Sequence, residues 1–181
     1  MTRVASCLAF AILALLLSLS TGCGQVKRPD GGSGLLPIGA DAPEVIGRDA
    51  EQHEVRLSAL RGKPVVVYFY PQDGTPGCTK EACAFRDAWS ELAKTNVVLV
   101  GISTDSLDSH KQFAEHHKLP FHLISDPDGS IAKAYGVPNN AGFLGRQTFV
   151  VGADGNLKKI YRSVDVSKHA SEVLADVKGS S

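Results

Sequence analysis

Neither sign of charge is in surplus in this sequence: 19 Lys and Arg stand against 19 Asp and Glu. Without a basic excess there is no global electrostatic footprint for nucleic acid. Cysteine is scarce, at four residues. None of the four stands in a C-x-x-C pair, which argues against a zinc ribbon, and they are too few for a disulfide-stapled mini-protein. Long apolar runs are missing too. The stretch from Cys7 to Leu19, broken only by Ser18, covers 13 residues, too few to span a bilayer comfortably. There is no internal repeat. What is present is globular: 181 residues, 43% hydrophobic and 21% charged, enough for one domain with a real core.

The apolar run belongs to a leader. Arg3 gives it a basic start, its length suits a signal-peptide h-region, and small residues follow at Ser20-Thr21-Gly22 before Cys23. Residues 1–22 are therefore expected to be a signal peptide. The segment is similar to a bacterial lipoprotein signal, in which the cysteine, here Cys23, becomes the lipid-modified first residue. The usual Leu three residues before the cysteine is replaced by Ser20, with Leu19 one further back. Residues 23–37, rich in Gly, Ser and Pro, read as a flexible tether, and residues 38–181 as the folded domain. Export and membrane anchoring are the expected localisation. Cys7 is then discarded and Cys23 capped, which leaves Cys78 and Cys83 as thiols.

Within 38–181, Val65–Tyr70 is a continuous β-branched and aromatic run suited to a strand buried on both faces. Thr79–Lys94 carries a helical stripe at Ala82, Phe85, Trp89 and Leu92. Val97–Ile102 is a second buried strand, Ser109–Lys118 a helix with Phe113 inward, and Phe121–Ile124 a short strand. Thr148–Val151 and Leu157–Tyr161 flank Asp154-Gly155, a hairpin signal, and Ser167–Val177 closes the chain as a helix. The order β-α-β-α-β followed by a hairpin and a helix predicts an α/β fold with a central mixed sheet flanked by helices. His110, His116 and His117 share a polar helix and read as a solvated face. Asp126-Pro127-Asp128-Gly129 reads as a turn, because the later ligands of a calcium loop are missing.

Chemistry concentrates in Pro71–Cys83. Thr75 followed by Pro76 predicts a helix start with Thr as N-cap. Cys78 then lies in the first turn, where unpaired N–H groups and the macrodipole favour a thiolate. Cys83 is five residues on. In an unbroken helix the two Cα atoms would be roughly 8–9 Å apart and about 140° around the axis, beyond the ~7 Å that a disulfide tolerates. A bond between them requires the first turns to unwind. Spacing alone favours two small buried helix residues over a redox pair; the place at a helix N-terminus and the expected export bring the two readings level.

These residues resemble the peroxiredoxins. Tyr68-Phe69-Tyr70-Pro71 and Thr75-Pro76-Gly77-Cys78-Thr79-Lys80-Glu81-Ala82-Cys83-Ala84-Phe85-Arg86-Asp87 are similar to the peroxiredoxin Q, or bacterioferritin comigratory protein, subfamily. The likeness extends over about residues 38–165 and includes Arg146-Gln147-Thr148-Phe149-Val150. It implies a thioredoxin-like fold and a thiol-dependent peroxidase acting on hydrogen peroxide and organic hydroperoxides. In that role Cys78 is the peroxidatic cysteine, and Cys83 the resolving cysteine that joins it in an intramolecular disulfide. Thr75 hydrogen-bonds thiolate and peroxide, Pro71 and Pro76 shape the pocket, and Arg146 lies by the thiolate. Without the resemblance, Arg146 would read as a surface salt bridge. No metal or other cofactor is required. The expected partners are small peroxides, a thioredoxin-like reductant and, through Cys23, a membrane, with no nucleic acid. A chain carrying its own resolving cysteine can complete the cycle as a monomer. The subfamily is usually intracellular, so an exported domain would need a reductant other than cytosolic thioredoxin. Two rivals are a disulfide reductase, which would carry C-x-x-C, and a thioredoxin-like metallochaperone, which would carry C-x-x-x-C and a distant ligand His.

Overall fold

In the computed structural model, which describes residues 26–179, the chain opens with a short antiparallel hairpin, β1 (Ile46–Arg48) and β2 (Glu54–Arg56), and a single 3-10 turn at Leu57–Leu60. Next come β3 (Val65–Phe69), α1 (Pro76–Asp87), α2 (Trp89–Ala93), β4 (Val98–Ser103) and α3 (Leu107–His117). The second half runs β5 (His122–Ser125), α4 (Ser130–Tyr135), the two-residue strands β6 (Asn139–Asn140) and β7 (Phe143–Leu144), β8 (Gln147–Val151), β9 (Leu157–Tyr161) and α5 (His169–Gly179). Cys7 and Cys23 lie outside the described residues.

Five strands form one sheet in the order β5-β4-β3-β8-β9, with β3 parallel to β4, β4 parallel to β5, and the two remaining pairs antiparallel. The mixed sheet expected from element order is thus present. Every residue of β3 is buried, because strand side chains alternate and both faces are covered. Val65, Val67 and Phe69 face a core closed by Tyr135 of α4 and by Val45, Val55 and Leu57. Val66, Tyr68 and Tyr70 face the opposite core, with Phe85 of α1, Leu92 of α2, Phe113 of α3 and Val173 of α5. Truncating a residue as deeply packed as Phe69 to Ala removes about 3–5 kcal/mol.

Three expectations change. The helix expected over Thr79–Lys94 breaks at Ala88 into α1 and α2. Phe85 and Leu92, seven residues apart and so nearly in line along a helix, are both buried in the same core, and Trp89 is half-buried against Phe121. The three-histidine face is not uniformly solvated: His110 is fully buried. Finally, residues 26–36, read from composition as tether, close an ordered turn. Lys27 bridges Ser33, Arg28 Nη1 donates to Gly34 O at 2.7 Å, and Leu36 is buried with its N–H directed to Tyr135 O. Gly136 ends α4 in the left-handed region at φ +74°, and any Cβ there would strike Gly34 O. The turn is seated on the end of a helix.

Candidate active site

Strand β3 runs through Tyr70 into the loop Pro71–Thr75, and α1 begins at Pro76, so the start of α1 lies at the carboxyl end of a parallel pair, where α/β sheets place their sites. Thr75 is the N-cap in extended conformation and Pro76 occupies the first turn, as expected. The Thr75 side chain caps nothing, however. Its hydroxyl donates to Gln72 O at 3.1 Å and so ties the loop to itself.

Cys78 is 2% exposed in the first turn of α1. Its Sγ accepts a hydrogen bond from Arg146 Nη2 at 3.1 Å. Antiparallel pairing sets Phe69 opposite Gln147. That register carries Arg146 to the end of the sheet where β3 gives way to α1, across 68 residues of sequence. The guanidinium therefore lies by the thiol and is no surface ion. Its other arm, Nη1, holds Glu81 Oε2. Glu81 sits three residues beyond Cys78 on the same helical face and is 1% exposed.

Behind this pair lies His169 of α5, fully buried, with Nε2 at 2.8 Å from Thr148 Oγ1 and 3.8 Å from Glu81 Oε1. Burial pushes the Glu81 carboxyl up to about 7, against the opposing pull of Arg146. Burial, and after it the charge of Arg146, pushes His169 down to about 4. His169 is consequently neutral at pH 7, and its contact with Glu81 is not a charged pair. The Tyr68 hydroxyl, buried in the same core, has no hydrogen-bond partner, and burial above all drives its ionisation well above the ordinary range.

A second network fixes the loop. Asp73 accepts from Tyr70 OH at 2.7 Å and Ser109 Oγ at 2.8 Å, meets His110 Nδ1 at 2.8 Å, and donates its own N–H to Asp105 Oδ2 at 2.9 Å. Burial works against its charge, but hydrogen bonds from His110, Tyr70 and Ser109 hold the Asp73 carboxyl below the usual range. Half-buried Pro71 stiffens the strand side of this loop.

Cys83 lies on the unbroken second half of α1, and both cysteines are free thiols. Its Sγ is 3.8 Å from His117 Nδ1. So the structure brings Cys78 and Arg146 together with Thr75 at the helix cap, places Pro71 in the loop before that helix, and leaves Cys83 unbonded to Cys78. Glu81, Asp73, His110, Thr148 and His169 were missed as members of this site. Glu81 had a legible signal in its i+3 spacing from Cys78. The others are joined only by the fold. Among the described residues, no three His, Cys, Asp or Glu side chains come together in a way that could hold a metal ion, and no helix is long and apolar enough to cross a membrane.

The arrangement suits a buried nucleophilic thiolate stabilised by a fixed cation and by helix N–H groups. Comparison with known proteins agrees. Residues 38–160 match the AhpC/TSA family. The chain is 47% identical over 139 residues to the chloroplastic peroxiredoxin Q of Sedum lineare, covering 75% of each chain. It is 40% identical over 146 residues to the putative peroxiredoxin bcp of Coxiella burnetii, covering 77% of this chain and 97% of that one. Among solved structures, peroxidoxin BcpB from Mycobacterium tuberculosis aligns with TM-score 0.74 and 35% identity over 80% of this chain and 97% of its own. Peroxiredoxin Q of Xanthomonas campestris aligns with TM-score 0.71 and 31% identity over 81% and 97%. The sheet and its helices are accordingly a thioredoxin-like fold, and the chain belongs to the AhpC/TSA family, within its peroxiredoxin Q/bacterioferritin comigratory protein subfamily of thiol-dependent peroxidases.

Proposed function

We propose that Cys78 is the peroxidatic nucleophile of a two-cysteine cycle completed within one chain. The observation that carries this reading is the buried Cys78 Sγ, 3.1 Å from Arg146 Nη2 in the first turn of α1. The Cys78 thiolate attacks one oxygen of a hydrogen peroxide or alkyl hydroperoxide, the O–O bond breaks, and the leaving oxygen departs as water or alcohol after taking up a proton. Cys78 becomes a sulfenic acid. Negative charge moves from sulfur to the leaving oxygen, and Arg146 and the α1 N–H groups supply fixed positive potential along that path without reorganising. Arg146 keeps its proton and acts by charge and direction alone. Thr75 lines the approach, and its hydroxyl is free to turn from Gln72 O to an incoming peroxide.

Cys83 then attacks the Cys78 sulfur, water leaves, and an intramolecular disulfide forms. This step demands local unwinding of α1, because both residues stand on one continuous helix in the thiol form. A dithiol donor of the thioredoxin type reduces the disulfide. The small, uncharged substrates and internal resolving cysteine suit a monomer. The leader reading places the enzyme outside the cytosol, held to a membrane by lipid on Cys23, with a reductant of that compartment.

A peroxide-consumption assay with Cys78→Ser tests the assignment. Loss of all activity is expected, and activity near wild type would sink it. Running the assay with different dithiol donors identifies the reductant class.

A further inference from the structure

Cys83 has a chemical environment of its own, and the peroxide step does not use it. His117, the last residue of α3, directs Nδ1 at Cys83 Sγ from 3.8 Å, within the range of a sulfur hydrogen bond. Two contacts hold that approach. Arg86, one helical turn beyond Cys83 on α1, donates from Nη1 to the His117 carbonyl at 2.9 Å. The His117 ring also packs edge-on against Phe113, with centroids 5.0 Å apart. Arg86 is close enough to interact electrostatically with the Cys83 thiolate as well. A thiol, an imidazole and a guanidinium thus converge where α1 meets the end of α3, as a second nucleophile–base pair apart from Cys78.

We propose that His117 is the general base that takes the proton from Cys83, with Arg86 positioning the ring and favouring the thiolate, so that resolution does not wait on spontaneous ionisation. The inference rests on the reading of Cys83 as the resolving cysteine. The step balances as follows. Cys83 S–H loses its proton to His117 Nδ1, and the resulting thiolate attacks the sulfur of Cys78–SOH. An S–S bond forms and the S–O bond breaks, so that the Cys83 sulfur is oxidised and the Cys78 sulfur reduced. The departing hydroxide recovers a proton as water, and His117 returns its own to solvent.

A base must be unprotonated at working pH, and the surroundings of His117 favour this. The titratable and charged groups around it are Cys83 and Arg86 from α1, His116 beside it on α3, and Asp73, which lines the same surface hollow; Glu115 and Lys118 are its other charged neighbours in sequence. Partial burial first, then His116 and Arg86, hold it below its ordinary value. The proton is therefore not already in place at pH 7.

An unassisted thiol is only about 3% ionised at pH 7, so full assistance is worth at most ~30-fold. The test follows both oxidation phases after a single peroxide pulse, with Trp89 as reporter. It is the only tryptophan in the chain, it lies at the start of α2 directly after α1, and unwinding α1 changes its surroundings. His117→Asn should leave the fast peroxide phase at the wild-type rate, which also shows that the variant is folded. The second phase should slow about tenfold at pH 7. In wild type that phase should be nearly flat from pH 7 to 8. In His117→Asn it should climb with pH over the same unit, as expected once no base is in place to take the proton. His116→Asn is the control and should match wild type. Independently of peroxide, alkylation of Cys83 in a Cys78→Ser chain, read by peptide mass, should slow on adding His117→Asn. If wild type and His117→Asn form the Cys78–Cys83 disulfide at the same rate with the same pH profile, the proposal is overturned while the resolving role stands. If wild type forms no such disulfide under peroxide, the resolving role falls and the proposal with it.

Discussion

Glu81 and His169 face each other in the core with opposite titration behaviour, and separating them gives a sharp prediction about stability. The Glu81 carboxyl is raised from 4.5 to about 7 on folding. Its folded form therefore binds a proton more readily than the unfolded chain, so its contribution is full below pH 4.5 and is lost as pH rises through 7. His169 is lowered from 6.5 to about 4, and its contribution is full above 6.5 and is lost as pH falls through 4. Each shift corresponds to about 3 kcal/mol when complete. Both side chains are essentially unexposed, at 1% and 0%, so solvent screening does not erase the effect. Between about pH 4.5 and 6.5 the two slopes oppose each other at up to ~1.4 kcal/mol per pH unit each, and wild-type stability should vary little from this pair. Glu81→Gln removes one side: its stability should fall as pH drops from 6.5 toward 4.5. His169→Asn removes the other, and its stability should rise over the same interval. Urea unfolding of the three proteins with thiols kept reduced, at half-unit pH steps, measures this directly. Curves that run parallel for all three would refute the assignment of proton positions in the core. A constant offset would not, because both substitutions carry pH-independent packing costs.

Arg146→Ala should slow the peroxide phase about 10²- to 10³-fold by removing the fixed donor at Cys78, measured by stopped-flow fluorescence. Arg146→Lys should recover only part of that, since one ammonium cannot bridge both Cys78 and Glu81 as the guanidinium does. Asp73→Asn keeps the shape but replaces an acceptor that serves Tyr70, Ser109 and His110. It should cost about 1–3 kcal/mol in urea unfolding and lower the peroxide rate while Cys78 remains alkylatable. Cys23→Ala should release the protein from membranes, and unchanged retention in fractionation would count against lipid attachment.

The strands were legible because burial on both faces leaves continuous apolar runs, as in Val65–Tyr70 and Val97–Ile102, and Asp154-Gly155 marked the β8–β9 turn. The start of α1 was legible because Thr75-Pro76 is a local signal. Arg146 became legible only through family likeness, since its distance from Cys78 closes through the β3–β8 register, which no local pattern encodes. His110 was misjudged for a related reason. Its helix neighbours are polar, and the carboxylate that lets it be buried, Asp73, arrives from a loop 37 residues earlier. The break at Ala88 had no Gly or Pro to announce it, and the apolar stripe runs through it unchanged. Residues 26–36 look like linker by composition, yet Arg28 gathers their carbonyls and Leu36 is held against α4.

In the proposed cycle, the unbroken α1 between Cys78 and Cys83 would couple the redox reaction to the folding equilibrium of a helix. Whatever free energy the native helix loses when the disulfide forms is returned on reduction, so the disulfide is a stronger oxidant than the same bond in a relaxed peptide. Each ~1.4 kcal/mol of helix and packing given up raises the reduction potential by about 30 mV. Packing substitutions that leave both sulfurs in place, at Phe85 or Leu92, should therefore retune the potential by altering how firmly the reduced helix is held. The core beneath α1 acts in this sense as the spring that resets the enzyme.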